Sequence, residues 1–326
     1  MHLNFNKALV TGGAGFIGSH LVDALLSMNC EVVVIDDLST GSLFNLEQCK
    51  ERITFYQGDI RNENILNKAA RGCDILFHQA AIVSVPWTVE HPVDSATVNE
   101  MGTLCVLEAA RKNSVKRVVL ASSSAIYGDD PVVPKHEGMT PMPKSPYAVQ
   151  KLTGELYARL YADLYDLDTV CLRYFNVYGP RQDPSSPYSG VISIFMAKAS
   201  AKATPVIYGD GNQYRDFVFV KDAVRSNLLA ANVDKARGKT FNIGTGKFTR
   251  IKQLWNKIDQ LAGLKIEPEY KPSRPGDILE SVASIQNAKK TLGFAPEHAL
   301  VKGLEITFEW YMNNNDVRKN EETSVS

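Results

Sequence analysis

Along the first half of the chain, short continuous apolar runs alternate with segments whose apolar positions recur every three or four residues. The runs KALVTG, EVVVIDD, ITFYQGD, DILFHQAA, KRVVLASS and DTVCLRYFN predict strands. They are apolar nearly throughout, as in a parallel sheet covered on both faces. Helical patterns fall between them over 15–28, 62–71, 94–112 and 147–165. This β-α-β-α order predicts an α/β fold with a doubly wound parallel sheet over 1–175. After Asn176 the rhythm breaks at the loop-like GPRQDPSSPYSG. Short strands (PVIYG, DFVFV, TFNIGTG) then fall among helices near 189–202, 221–232, 250–262, 284–292 and 299–313. We read a second, smaller α/β lobe over 176–215 and 247–316, with a segment at about 216–246 returning to the main sheet. The polar end NNNDVRKNEETSVS, from 317 onward above all, reads as a frayed tail.

Composition narrows the function classes. The chain of 326 residues is 44% hydrophobic and 22% charged, ordinary for a soluble globular protein. Lys+Arg and Asp+Glu both number 36, which argues against a general polyanion binder but leaves room for a small anionic ligand. The five cysteines are widely spaced, odd in number and without a C-x-x-C, as expected of reduced thiols in a cytosolic protein. Six histidines form no ligand-spaced cluster, so no metal is expected. No run of about 18 apolar residues suggests a membrane span. The N-terminus enters a strand directly, so no signal peptide is expected, and the chain reads as cytoplasmic.

The segment ALVTGGAGFIGSHLVDALL is a strand, a glycine turn and a helix, with Gly12, Gly15 and Gly18 in G-x-x-G-x-x-G. Glycine takes positive φ and lets backbone amides approach a pyrophosphate, which the helix N-terminus then faces. Following a strand and opening a helix, the triplet has the context that a dinucleotide site requires. Asp36 ends the next strand about 20 residues further on, where a carboxylate accepts from ribose hydroxyls and repels a 2′-phosphate, favouring NAD over NADP. Asp59 ends the third strand, placed to meet an adenine amine or simply to make a Gly-Asp turn.

Two further stretches point to proton transfer. In SPYAVQK, Tyr147 and Lys151 stand one helical turn apart behind a capping Ser145 and Pro146. Just before it, a strand ends in ASSSAIYGDDP, placing three serines where doubly wound sheets bind ligands. A phenol beside an ammonium and an oxidised nicotinamide becomes a workable base, with a serine hydroxyl sharing the proton. An ordinary surface pair and a polar strand cap are the alternatives.

Together these residues resemble the extended short-chain dehydrogenase/reductase superfamily, in its NAD-dependent sugar-nucleotide epimerase/dehydratase branch, a Rossmann fold. The motifs TGGAGFIGSH, DDLSTG, GDI, HQAA, VNEMGT, ASSSAIYGD, SPYAVQK, RYFNVYGPRQDP, GDGNQYRDFVFV and RPGD appear in family order. The resemblance implies Tyr147 as base, Lys151 as its partner on the nicotinamide ribose, Ser123 as the serine of catalysis, Ser124 on the sugar and Ser122 by the cofactor. It implies NAD contacts at Phe16, Ile17, Asp36, Asp37, Ser39, Thr40, Gly41, Asp59, Ile60, Ala80, Ala81, Asn99 and Phe175. For substrate it implies Ser84, Asn176, Gly190, Val191, Arg215, Arg274 and Asp277, with Tyr208 stacking on the base and Ser281 bordering the sugar. Two arginines suit a diphosphate through bidentate, charge-assisted bonds.

Members of this branch begin by oxidising C4 of the sugar. Dehydratases carry Asp-Glu where this chain has Ser124-Ala125, and decarboxylases carry Glu at the second position. Ala125 donates no proton, so 4-epimerisation with recycled NAD remains. The chain most resembles UDP-N-acetylhexosamine 4-epimerases, implying UDP-GlcNAc/UDP-GalNAc and also UDP-Glc/UDP-Gal as substrates. A UDP-hexuronate 4-epimerase, an NAD(P)H-dependent keto-sugar reductase and a non-catalytic NAD-binding protein are the alternatives. Val98, Met101, Leu104, Cys105, Leu156, Leu160 and Leu164 fall at helical spacing, and most are expected in the chain's own core. The resemblance implies that their two helices pair in a homodimer.

Overall fold

The computed structural model describes residues 2–184, 190–273 and 279–324. The first half runs β1 (Lys7–Thr11), α1 (Phe16–Ser27), β2 (Glu31–Asp36), β3 (Ile53–Gln57), α2 (Glu63–Ala70), β4 (Ile75–His78), α3 (Val85–Glu90), α4 (Pro92–Ala96), α5 (Gly102–Lys112), β5 (Arg117–Ser123), α6 (Pro146–Tyr165) and β6 (Asp168–Tyr174). A π-helical turn, Thr97–Met101, joins α4 to α5. The second half runs β7 (Asn176–Tyr178), α7 (Val191–Ser200), β8 (Val206–Tyr208), β9 (Tyr214–Arg215), β10 (Phe217–Phe219), α8 (Val220–Asn232), β11 (Lys239–Ile243), β12 (Thr249–Arg250), α9 (Ile251–Leu261), β13 (Glu269–Lys271), β14 (Glu280–Ser281), α10 (Gln286–Leu292) and α11 (Leu300–Ser324).

Seven parallel strands form the main sheet in the order β11-β6-β5-β4-β1-β2-β3. The strands are apolar on both faces because each face has its own helical cover. Val10, Val34, Val119 and Leu172 pack with Leu21 and Leu25 of α1 and Leu228 of α8. Their neighbours Leu9, Val33, Ile35 and Val118 pack with Leu66 of α2, Leu107 of α5 and Tyr161 of α6. Each fully buried aliphatic side chain contributes roughly 1.5–3 kcal/mol. Strand order reverses between β1 and β4, which places a ligand crevice at their carboxyl ends. The segment returning from the second half is β11, paired with β6.

A separate apolar cluster joins α7, α9 and α11 through Phe195, Met196, Trp255, Ile258, Leu304 and Tyr311. Two expectations are corrected. The last helix runs on to Ser324 rather than ending near 313, since no Gly or Pro follows Gly303 to break it. Met101, Leu156, Leu160 and Leu164 are exposed, Leu164 at 67%, rather than packed in the core. The three leucines recur every fourth residue along α6, so they share a stripe that turns away from the sheet. Val98, Leu104 and Cys105 are only partly buried.

Candidate cofactor and active site

The crevice is built first from glycines. Gly12 has φ +68°, and a Cβ there would lie 2.7 Å from the Ala80 nitrogen, so the turn after β1 touches the segment after β4. Gly15 stands immediately before α1, and a Cβ on Gly18 would fall 2.0 Å from the Gly12 carbonyl oxygen. The helix is thus held against the turn as a phosphate cradle requires, with Phe16 and Ile17 in its first turn.

Asp36 is buried at the end of β2 and accepts from the Ala14 and Leu38 backbone N–H groups, both at 2.9 Å. Burial pushes its carboxyl up and these two bonds oppose that. A Cβ on Gly41 would come within 2.8 Å of its Oδ1, so a side chain there would crowd the carboxylate. Each oxygen keeps a lone pair for a ribose hydroxyl. Asp37 accepts from both the Ser39 nitrogen and hydroxyl, so Ser39 closes the turn, while Thr40 is exposed.

Beside Asp59 the structure adds a residue that sequence reasoning passed over. Arg61 grips both oxygens of Asp59, with its NH2 group 2.5 Å from Oδ2, and donates to Thr97 Oγ1. Its guanidinium holds Asp59 below the usual carboxylate range. Asp59 therefore meets any adenine amine as half of an ion pair rather than as a free acid. Ile60 is buried against Gly102.

Ala80 and Ala81 follow β4, the Ala80 nitrogen donating to Thr11 Oγ1. Asn99 is buried in the π-helical turn. Its oxygen accepts from Ile82 N–H, and its amide donates to Ile82 O and Gln150 Oε1. It thus fixes the backbone that follows Ala80 and Ala81. His78 lies between Thr11 and Thr103, and burial lowers it to about 3, so it is a neutral spacer. Phe175 is buried, its N–H bonded to Ile243 O.

The proton-transfer group stands at the end of β5 and the start of α6. Ser145 caps α6 by accepting from Ala148 N–H, and Pro146 opens it. Lys151 donates to Ala121 O at 3.0 Å, with Nζ 5.9 Å from the centre of the Tyr147 ring. Ser123 hydrogen-bonds the Tyr147 phenol and accepts from Ala125 N–H, capping the short turn that Ser124 begins. Burial lowers the Lys151 ammonium to about 8 and raises the Tyr147 phenol, with the Ser123 bond opposing the latter. Burial thus outweighs any help that Lys151 alone gives the phenol, in keeping with the expectation that further positive charge beside the ring is needed.

Ser122 turns its side chain away from the crevice. Its hydroxyl donates to Glu155 at 2.5 Å, beneath the site. Glu155 pairs with Arg173, which meets the Tyr127 hydroxyl, and that hydroxyl donates to Asn242.

In the second lobe, Asn176 donates to Asp216 O, and Gly190 and Val191 open α7 beside a cleft shared with Tyr178, Gln182 and Phe217. Arg215 and Ser281 are register partners between β9 and β14, with Ser281 buried. Tyr208 ends β8, and Ser84 caps α3 at the mouth after β4. Arg274 and Asp277 lie outside the described residues. Asp216, which sequence reasoning did not single out, is buried and gathers Thr245, Gly246 and Ala283 backbone N–H groups on its carboxylate. Its signal was an acid set directly against the apolar run FVFV. Among the described residues no cluster of metal-ligating side chains occurs.

Comparison with known proteins agrees with this geometry. The sequence model of the NAD dependent epimerase/dehydratase family matches residues 8–244. A putative UDP-glucose 4-epimerase of Methanocaldococcus jannaschii is 41% identical over 309 residues, covering 94% of this chain and 99% of that protein. The UDP-N-acetylglucosamine 4-epimerase of Methanobrevibacter ruminantium, solved with UDP-N-acetylmuramic acid, is 39% identical with a TM-score of 0.92, over 96% of this chain and 100% of that one. The UDP-glucose 4-epimerase of Thermus thermophilus, solved with NAD, is 37% identical with a TM-score of 0.85, over 94% and 98%. With a family model over most of its length and relatives at about 40% identity, the chain belongs to the NAD-dependent epimerase/dehydratase family.

Proposed function

We propose that the chain is a UDP-sugar 4-epimerase that interconverts UDP-GlcNAc and UDP-GalNAc, and also UDP-Glc and UDP-Gal. One observation carries this reading: Ser123 bonds Tyr147 beside Lys151, while Ala125 stands where dehydratases and decarboxylases place an acid. The UDP-sugar 4-epimerases among the relatives support the substrate class.

Gly12, Gly15, Gly18 and Asp36 would hold NAD, which supplies a reversible hydride acceptor for C4 of the sugar. Tyr147 takes the 4-hydroxyl proton with Ser123 bridging. Because burial raises this phenol, its work as a base needs positive charge beside it, from Lys151 and the oxidised nicotinamide. After the keto-sugar turns about its diphosphate link, Tyr147 returns the proton to the 4-oxygen. Asn176, Arg215, Arg274 and Asp277 hold the diphosphate and nucleoside, Tyr208 stacks on the base, and Ser281 leaves room for an N-acetyl group. The lobe of 176–215 and 247–316 is the substrate lobe. The exposed stripe of α6 and Met101 fit a homodimer face, and five free cysteines fit a reducing, cytoplasmic setting.

Tyr147→Phe tests the reading, since it removes one hydroxyl and leaves the ring. Turnover should fall at least about a thousandfold while NAD stays bound. Activity within about threefold of wild type removes Tyr147 from the chemistry.

A further inference from the structure

Gln150 directly precedes Lys151 on α6 and is 2% exposed. Its neighbour Lys151 reaches back to β5, but Gln150 reaches the opposite wall of the crevice. Its Nε2 donates to Ser95 Oγ at 2.8 Å, and Ser95 donates in turn to Pro92 O. Its Oε1 accepts from Asn99 at 2.7 Å, and Asn99 closes two bonds on the backbone of Ile82. One buried side-chain relay therefore joins three segments: the helix bearing Tyr147, the π-helical turn, and the backbone that carries Ala80 and Ala81.

We propose that Gln150 is a positioning residue, whose carboxamide fixes the helix bearing Tyr147 against the Ala80–Ile82 backbone through Asn99. The inference rests on the reading of Tyr147 as the base. Hydrogen-bond accounting carries it. Asn99 spends one amide hydrogen on Ile82 O and the other on Gln150, while its oxygen takes Ile82 N–H. Buried donors are paired almost without exception. Without Gln150 Oε1 the second hydrogen has no acceptor, and Asn99 can satisfy it only by turning away from Ile82. The extra residue of the π-helical turn aims Asn99 inward and is a feature that tends to mark functional sites. The same turn places Thr97 on Arg61, the partner of Asp59. The relay thus connects the proton-transfer helix to backbone at the nicotinamide end of the crevice and, through the turn, to the adenine end. A residue that merely filled space at position 150 would keep α6 in place and leave these connections broken.

The test compares full-length Gln150→Leu and Gln150→Glu with wild type, as isolated, by amide hydrogen exchange at Ile82 and by kcat and KM for UDP-sugars. Gln150→Leu keeps the bulk and loses the acceptor. It should speed Ile82 exchange about tenfold or more while the other α6 amides stay protected. It should lower kcat about tenfold with KM changed less than about threefold. Gln150→Glu keeps the acceptor for Asn99, and should restore Ile82 protection and at least about half of kcat. Unchanged Ile82 exchange in Gln150→Leu, kcat within about twofold of wild type, or a Glu variant no better than Leu overturns the proposal. If Gln150→Leu does not fold, Gln150→Asn, too short to reach Asn99, replaces it with the same thresholds. Failure of both to fold overturns the proposal in favour of a purely structural role. If wild type turns over no UDP-sugar, the functional reading fails alone, and the exchange result still decides whether Gln150 couples the two segments.

Discussion

Replacing Glu155 by alanine measures how far the floor of the active site depends on one buried charge pair. Its carboxylate receives Ser122 at 2.5 Å and Arg173 at 2.8 and 2.7 Å. Both side chains of the pair are under a tenth exposed, at 6% and 7%. With the carboxylate gone, Arg173 keeps the Tyr127 hydroxyl and the face of the Tyr127 ring, neither of which carries a compensating charge. Removing one member of such a pair costs about 3–5 kcal/mol, most of it the stranded charge. For 326 residues, with an unfolding entropy of about 2.1 cal/mol/K per residue, that lowers Tm by roughly 4–7 °C. Glu155→Leu combined with Arg173→Met removes both charges at similar volume and should cost less than Glu155→Leu or Arg173→Met alone, which with wild type complete a double-mutant cycle. Urea unfolding of the four proteins gives the coupling, expected to exceed about 2 kcal/mol. A single-variant loss below about 1 kcal/mol, or single losses that add to within about 0.5 kcal/mol, would refute the argument from stranded charge.

Other parts of the site make separate predictions. In Gly18→Ala, the new Cβ would sit 2.0 Å from the Gly12 oxygen where ordinary contact begins at 3.4 Å. The start of α1 must then leave the turn, and NAD should bind at least about tenfold more weakly by calorimetry on stripped protein, with affinity within about twofold counting against the cradle. Burial holds Lys151 at about 8 rather than 10.5. The unfolded chain therefore binds more protons between those values, and this group makes cofactor-free protein more stable as pH rises from about 8 to 10. Lys151→Met should flatten that slope of Tm against pH, and an unchanged slope contradicts the assignment. Ser281→Tyr should suppress turnover of UDP-GlcNAc and UDP-GalNAc while sparing UDP-Glc and UDP-Gal, because an overfilled pocket penalises the larger sugar by about 1–3 kcal/mol. Equal effects on both pairs, or none, remove Ser281 as the size gate.

The parts of the molecule legible in the sequence were those set by local pattern. Runs such as EVVVID can only be strands covered twice, and the glycine turn needs a strand before it and a helix after it, both visible in ALVTGGAGFIGSHLVDALL. Tyr147 and Lys151 could be paired because helix geometry fixes their separation. The hidden parts were relations between distant segments. Nothing near Ser122 announces that its hydroxyl turns to Glu155, and nothing near Asp59 says that Arg61 covers it on one side. Gln150 finds partners on another helix and in the π-helical turn, a contact that no periodicity encodes. Leu156, Leu160 and Leu164 misled for a related reason. An apolar stripe looks the same whether it faces the chain's own core or turns away from it, and only the packing of α6 decides.

The most direct test of 4-epimerisation with resident NAD is to incubate the purified protein, with no added cofactor, with UDP-GlcNAc, UDP-Glc and UDP-GlcA separately and follow the products by NMR. We predict that UDP-GalNAc forms from UDP-GlcNAc, with UDP-Gal from UDP-Glc, until each mixture reaches equilibrium, many turnovers per enzyme. Conversion of UDP-GlcA alone would move the substrate to the uronic acids. No epimer at all without added NADH would contradict the claim and point to a reductase.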